Sequence, residues 1–283
     1  MTLQSAASDL ALMEAAARAA GAVTRAAFGK RFETWSKGAA GPVTEIDLAA
    51  DALIKDHLLG ARPDYGWLSE ETADSEARLE RSHVFIVDPI DGTQAFIQSI
   101  PQYAISIGLA IDGRAALGVI YNPQTDQLFV GGVGAPARCN GAPIAASARV
   151  EIEGARIVGK EALFSSRRWA REWPKMDFVF RHSIALRLAL VAAGEADAAM
   201  LFGFKHEWDI AAGVAIIEAA GGHAGETDGG ALRFNRADPR VVGVTAAGAR
   251  LHALLTERLK DLPHPSAWGE LGGRMPAKAG TDA

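Results

Sequence analysis

The sequence predicts a layered α/β protein, with helices and sheets stacked face to face. Three observations predict it. Short apolar strand patterns crowd residues 65–131, strand and helix patterns alternate after about residue 150, and helical periodicity frames both halves. Hydrophobic residues make up 49% and charged residues 22%, which a packed globular chain needs and a disordered one lacks. The 283 residues exceed the usual single-domain size of about 100–150. The expected organisation is an N-terminal α+β subdomain over 1–145, a C-terminal α/β subdomain over 146–260, and a loose tail over 261–283.

Each element has a local reason. Residues 6–28 place Leu10, Met13, Ala17 and Ala20 at helical spacing. Residues 30–43 are polar and Gly-rich and read as a loop. Thr44 caps a second helix over 45–59, which Gly60 ends. Residues 65–69 form a short strand. Residues 83–87 form an apolar, β-branched strand, which Asp88-Pro89 stops. A short helix opens at Gly92-Thr93 and runs to Ile97. Strands follow over 103–110, 116–121 and 127–131, with turns at Asp112-Gly113, Asn122-Pro123 and Asn140-Gly141. In the second half, strands are expected over 155–159, 196–201 and 241–245. Helices are expected over 183–193, 209–220 and 249–259; Gly194 closes the first and Gly221-Gly222 the second.

Several functions are disfavoured. The formal net charge is −5 and no Lys/Arg run exceeds two residues, so a nucleic-acid polymer is not the expected partner. No 18-residue uncharged apolar stretch exists, so no membrane span is expected. Cys139 is the only cysteine, which forbids an intrachain disulfide and fits a reducing cytoplasm. It has no activating neighbour in the sequence and reads as inert. The start lacks a basic region and carries Asp9 and Glu14, unlike a secretory signal. Gly132-Val-Gly134-Ala-Pro-Ala137 imitates a dinucleotide-binding turn, but Pro136 and the following turn make it a loop. No P-loop is present. The seven histidines are scattered and support no zinc site.

The chemistry concentrates at Asp88-Pro89-Ile90-Asp91-Gly92-Thr93. Asp88 stands at the end of an apolar strand, where side chains line crevices in open α/β sheets. Asp91 follows three residues later. Two ionised carboxylates so close repel, and a divalent cation relieves the repulsion. Hard carboxylate oxygens favour Mg²⁺. Gly92 and Thr93 open a helix, where free N–H groups attract a phosphate. By spacing alone, Asp88 and Asp91 fit equally well as turn and N-cap residues. Glu70-Glu71, Asp47 and Asp209 add further acids. Each also reads as a solvated or helix-terminal charge.

These motifs resemble the inositol monophosphatase family. The carriers are Asp88-Pro-Ile-Asp-Gly-Thr93, Leu68-Ser-Glu-Glu71, Trp208-Asp-Ile-Ala-Ala-Gly213 and Pro42-Val-Thr-Glu-Ile-Asp47, in family order. The resemblance spans roughly residues 8–260. It implies an alternating α-β-α-β-α sandwich and a Mg²⁺-dependent phosphatase holding two or three Mg²⁺. Glu70, Asp88 and the Ile90 carbonyl would bind one ion. Asp88, Asp91 and Asp209 would bind a second, and a weaker third would sit near Glu70. Glu70 and Thr93 would orient the attacking water, with Asp47 supporting Thr93. Gly92 and Thr93 would hold phosphate oxygens. Lithium inhibition and a homodimer are implied as well.

The same resemblance bears on the substrate, a small phosphorylated metabolite. Inositol monophosphatases carry a sugar-binding Glu seven residues before the Trp-Asp aspartate; here Phe202 stands there. The segment from Lys205 to Gly213 looks closer to the bacterial 3'(2'),5'-bisphosphate nucleotidase branch, which takes adenosine 3',5'-bisphosphate. Lys205, His206 and Arg181 are candidate contacts for a second phosphate, and each reads equally well as a surface charge. Inositol monophosphate, fructose 1,6-bisphosphate and histidinol phosphate stay as alternatives. So does a regulatory binding protein that kept the phosphatase fold.

Overall fold

A computed structural model describes residues 3–38, 41–164, 169 and 171–260. The tail expected over 261–283 lies outside the described residues. Helix α1 (Leu3–Ala27) buries Leu10, Met13, Ala17 and Ala20, the stripe that its spacing sets on one face. Strands β1 (Thr34–Ser36) and β2 (Pro42–Thr44) pair antiparallel inside the stretch expected to be a loop. Their short sequences carry no alternation long enough to announce a strand. Helix α2 (Glu45–Ala61) starts in a capping box: Thr44 accepts from the Asp47 N–H, and Asp47 accepts from the Thr44 N–H. It runs through Gly60, where an end was expected, and stops at Arg62, the residue before Pro63.

The first sheet takes its strands in sequence order. They are β3 (Gly66–Ser69), β4 (His83–Asp91), β5 (Ala104–Ile111), β6 (Arg114–Asn122), β7 (Gln127–Gly132), β8 (Ala135–Cys139) and β9 (Ala142–Pro143). Only β3 and β4 run parallel. The segment 132–137, expected to be a loop, instead ends β7 and turns directly into β8. Gly132 makes that turn possible, since a Cβ there would lie 2.1 Å from the Ala116 carbonyl oxygen.

Strand β4 corrects another expectation. It does not stop at Asp88-Pro89 but continues to Asp91 through a bulge: Asp88 pairs with Ser106, while Asp91 pairs with Ala104. Residues three apart on a regular strand point to opposite faces. One extra residue resets that alternation and turns both carboxylates toward one side. The single-turn helix α3 (Thr93–Ile97) follows, with Gly92 as its left-handed N-cap at φ 96°.

The second sheet runs β11-β10-β12-β14-β13. Its strands are β10 (Arg156–Val158), β11 (Asp177–Val179), β12 (Ala198–His206), β13 (Gly222–Glu226) and β14 (Arg240–Gly248). Between the sheets lie α4 (Ile184–Ala192) and α5 (Glu207–Ala219). Helix α6 (Ala249–Leu259) covers the far side of the second sheet, where Leu251 and Leu255 meet Ala198, Met200 and Ala247. On the first sheet, Phe85 and Val87 face α1 and α2, while Val84 and Ile86 face α4 and α5. Burial on both faces explains the unbroken apolar run of β4. The layers are therefore α-β-α-β-α, as the resemblance implied.

Helix α5 sits unusually close to the first sheet. A Cβ on Gly108 would lie 2.7 Å from Ala211 Cβ, and one on Gly118 would lie 2.1 Å from the Ala212 carbonyl oxygen. Only glycine leaves room for that approach.

Candidate active site

Two stretches of chain bring three carboxylates together. Asp88 and Asp91 come from the bulged end of β4, and Asp209 from the first turn of α5. Each offers an oxygen, and these oxygens lie within 4.8 Å of one another. Strand β12 runs straight into α5, so the strand end delivers Asp209 to the site.

Every member is anchored by its second oxygen or its backbone. Asp88 accepts from the Ile90 N–H at 3.1 Å. Asp91 accepts from the Ala185 N–H at 2.5 Å and from the Ser183 hydroxyl, both at the start of α4. It thus serves a helix 92 residues away, not the one that follows it. Asp209 accepts from the His206 N–H at 2.8 Å and completes its own helix cap. The capping role and a place in the cluster coexist in this residue.

Burial among like charges shapes the electrostatics. Burial, with Glu70, Asp91 and Asp209 nearby, holds the Asp88 carboxyl well above its ordinary range. Burial raises Asp91 to about 6 against the pull of Ser183 and the α4 N–H groups. Burial and the neighbouring Asp91 raise Asp209 to about 7. Buried like charges hold their protons to higher pH than ordinary carboxylates do, unless a cation replaces them. Clustered hard oxygens with suppressed acidity are the donor set that suits a divalent cation such as Mg²⁺. The residues present therefore fit the metal that the resemblance implied.

The other expected site residues surround this cluster. Asp47 is buried; its Oδ2 accepts from the Thr44 hydroxyl at 2.5 Å, and its Oδ1 lies 3.0 Å from Thr93 Oγ1. Thr93 Oγ1 also lies 3.0 Å from the Ile90 carbonyl. Glu70 is outside the tight trio, though near enough to raise Asp88, Asp209 and Asp47. Lys37 holds it, with Nζ 2.8 Å from Glu70 Oε1 and 2.9 Å from Glu71 Oε1. Gly92 faces Ser183 and the Gln102 carbonyl, which would crowd any side chain at 92. Its helix is one turn of five residues, less of a dipole than the sequence suggested.

Cations stand on one side of the cluster. The Arg181 guanidinium bonds the Phe180 carbonyl at 2.9 Å and none of the three aspartates. Arg187, which the sequence reading passed over, is the arginine drawn to Asp91. Its Nε donates to the Arg181 carbonyl at 2.6 Å. Among the described residues, Lys205 Nζ donates to backbone carbonyls alone, at 2.9 Å to Phe202 and Phe204 and 3.3 Å to Gly203. Burial lowers the pKa of both cations; Asp209 opposes that for Lys205. Among the described residues, no carboxylate forms a salt bridge with either. His206 stacks on Trp208 with ring centroids 4.4 Å apart. Phe202 packs against Phe164 and Trp169, inside an apolar cluster.

A statistical description of the inositol monophosphatase family matches residues 6–264. The chain belongs to the inositol monophosphatase family. It is 32% identical over 232 residues to the Nus factor SuhB of Escherichia coli, covering 77% of this chain and 86% of that protein. It is 34% identical over 210 residues to an inositol-1-monophosphatase of Rhizobium meliloti, covering 69% and 75%. The crystal structure of the extragenic suppressor protein suhB from Bartonella henselae superposes with a TM-score of 0.76 at 31% identity, covering 88% of this chain and 97% of that one. Members of the inositol monophosphatase family are phosphatases, and this chain is one of them. Among its described residues, no helix is long and apolar enough to cross a membrane.

Lys37, Arg187 and Ser183 are inositol monophosphatase site neighbours that the motifs did not flag. Arg187 and Ser183 reach Asp91, and Lys37 reaches Glu70 and Glu71, each from a distant stretch; only Ser183 carried a local signal, as an N-cap.

Proposed function

We propose that the chain is a Mg²⁺-dependent phosphomonoesterase acting on a nucleotide with a second phosphate, with adenosine 3',5'-bisphosphate as the leading substrate. The phosphatase half rests on the convergence of Asp88, Asp91 and Asp209. With Glu70 and the Ile90 carbonyl, these residues would hold two Mg²⁺, or three. The chemistry that divalent cations would supply there is neutralisation of phosphate and leaving-group charge and a lowered water pKa. Asp47 holds Thr93, and Thr93 and Glu70 orient the attacking water. Gly92 lets a phosphate approach the backbone. No nucleophilic side chain is required, because phosphoryl transfer asks mainly for position and charge.

One observation carries the nucleotide half. Lys205 and Arg187 are half-buried cations beside the cluster that form no salt bridge among the described residues, and an anion would pair with both. Next to them Phe180 is 38% exposed, with Arg187 Cζ 5.1 Å and Lys160 Nζ 5.7 Å from its ring centre. His182 sits edge-on to it at 5.0 Å. An exposed ring flanked by cations suits a base and a phosphate. Phe202, apolar where inositol phosphatases place an acid, offers a sugar alcohol nothing. A cytoplasmic, lithium-sensitive homodimer completes the proposal.

The test is a turnover panel with Mg²⁺ and with chelator. Adenosine 3',5'-bisphosphate should show the highest kcat/KM, and chelation should abolish turnover. Preference for inositol 1-phosphate would instead favour the activity in the name of the Rhizobium relative. Histidinol phosphate and fructose 1,6-bisphosphate complete the panel. The Nus factor name of the Escherichia coli relative supports a second reading, a regulatory binding protein. Absence of turnover on every substrate would favour it.

A further inference from the structure

Two arms of the acidic site arrive from different sheets. Glu70 follows β3 of the first sheet, and Asp209 opens α5 at the end of β12 in the second. A single buried guanidinium joins their supports. Arg78 lies in a short 3-10 turn (Glu76–Glu80) and is 3% exposed. Its Nε and Nη2 fork onto Asp74 at 2.7 and 2.8 Å. Asp74 ends the segment that begins at Glu70. Arg78 also packs on the strand that delivers Glu70, since a Cβ on Gly66 would lie 3.2 Å from Arg78 Cβ.

The other side of the guanidinium grips the second half of the chain. Nη1 donates to Asn235 Oδ1 at 2.8 Å, and Nη2 to the Arg236 carbonyl at 2.8 Å. Asn235 Nδ2 returns a bond to the Arg78 carbonyl at 3.0 Å. The N–H groups of Asn235 and Arg236 then donate to the two oxygens of Glu207, at 2.6 and 2.9 Å. Glu207 is 0% exposed and is the first residue of α5, two positions before Asp209. A continuous chain of directional bonds thus runs from the Glu70 segment to the Asp209 helix. None of its members touches the cluster.

We propose that Arg78 is a positioning residue: through Asp74 on one side and Asn235, Arg236 and Glu207 on the other, it fixes Glu70 against Asp209 and so sets the affinity for a divalent cation. The proposal rests on the reading of Asp88, Asp91 and Asp209 as a metal site. The planar fork is essential to it. A lysine at 78 keeps the charge but not the simultaneous grip on a carboxylate, an amide and a carbonyl. Partners bonded directly to a metal ligand tune affinity by about 10–100-fold, which sets the ceiling for a support one step further out.

The test titrates the full-length, chelator-treated protein with Mg²⁺ by calorimetry and follows Tm against Mg²⁺ concentration. Arg78→Lys and Asn235→Gly are compared with wild type. Glycine accepts the left-handed φ of 58° at 235, so that change removes the amide without backbone strain. Both variants should raise the Mg²⁺ Kd, by up to about 10–100-fold, and the double variant should be no worse than the weaker single one. A fall in metal-free Tm with an unchanged Kd in Asn235→Gly overturns the proposal and leaves Arg78 a packing residue. Asn235→Gly decides alone should Arg78→Lys fail to fold. A wild-type protein that binds no Mg²⁺ overturns the metal-site reading, and the proposal with it.

Discussion

Replacing Asp209 by Asn should make the metal-free protein more stable at alkaline pH while removing its response to Mg²⁺. Burial and Asp91 raise the Asp209 carboxyl from 3.8 to about 7. Each pKa unit is worth about 1.4 kcal/mol, so ionising this group in the folded state costs about 4 kcal/mol. Asp209 is only half-buried in the cleft, and screening there lowers the figure to about 2–3 kcal/mol. The folded state binds this proton more tightly than the unfolded chain does. The stabilisation is therefore complete below about pH 4 and is lost as pH rises through about 7. Roughly two of the three pKa units titrate between pH 5 and pH 8. Asp209→Asn should gain about 1–2 kcal/mol on wild type across that interval. Asp88 and Asp91, relieved of a charged neighbour, shift the balance the same way. The assay is urea denaturation in chelator at both pH values, repeated with Mg²⁺. Saturation at about 100 times Kd adds about 2.7 kcal/mol to wild type, and most of this should vanish in the variant. An equal stability difference at pH 5 and pH 8, or equal stabilisation of both proteins by Mg²⁺, would refute the reasoning.

Three further outcomes are expected. Asp47→Asn loosens Thr93 and should cut kcat by about 10²-fold with little change in KM, read by steady-state kinetics. Lys205→Met removes one charge-assisted contact and should lower kcat/KM for adenosine 3',5'-bisphosphate by about 10–100-fold, leaving simple monophosphate esters unaffected. Asp51 accepts from the hydroxyls of Ser69 and Thr72, which fastens the Glu70 turn to α2. Asp51→Ala should cost about 1–3 kcal/mol in a urea melt.

The strongly patterned parts of the fold were legible in the sequence. The stripe of α1, the Thr44 cap and the turns at Asp112-Gly113 and Asn140-Gly141 each depend on neighbours within a few residues. The misses share a different cause. Strands β1, β2, β11 and β13 are short, and tertiary pairing defines them more than side-chain alternation does. The bulge at Asp88–Asp91 was read as a strand end, because Pro89 marks both equally well. At the site, the acids were visible because the Asp-Pro-Ile-Asp-Gly-Thr run is compact. Lys37, Arg187 and Arg78 were not, because the partners that tie them to the site (Glu70, Asp91 and Asn235) stand far away in sequence and lysines and arginines are ordinary surface residues.

The two glycines under α5 act as a depth gauge for the acids above them. Asp209 rides on the turn that contains Ala211 and Ala212, and those alanines rest on the bare backbone of Gly108 and Gly118. A single methyl at 118 would be a shim beneath the helix, lifting the Asp209 oxygens away from those of Asp88 and Asp91. Mg²⁺ asks for oxygens at about 2.0–2.1 Å and Ca²⁺ accepts about 2.3–2.6 Å, so a lift of a few tenths of an ångström is enough to retune ion choice. The preference of an acid-lined pocket is then set partly by residues that contribute no oxygen to it.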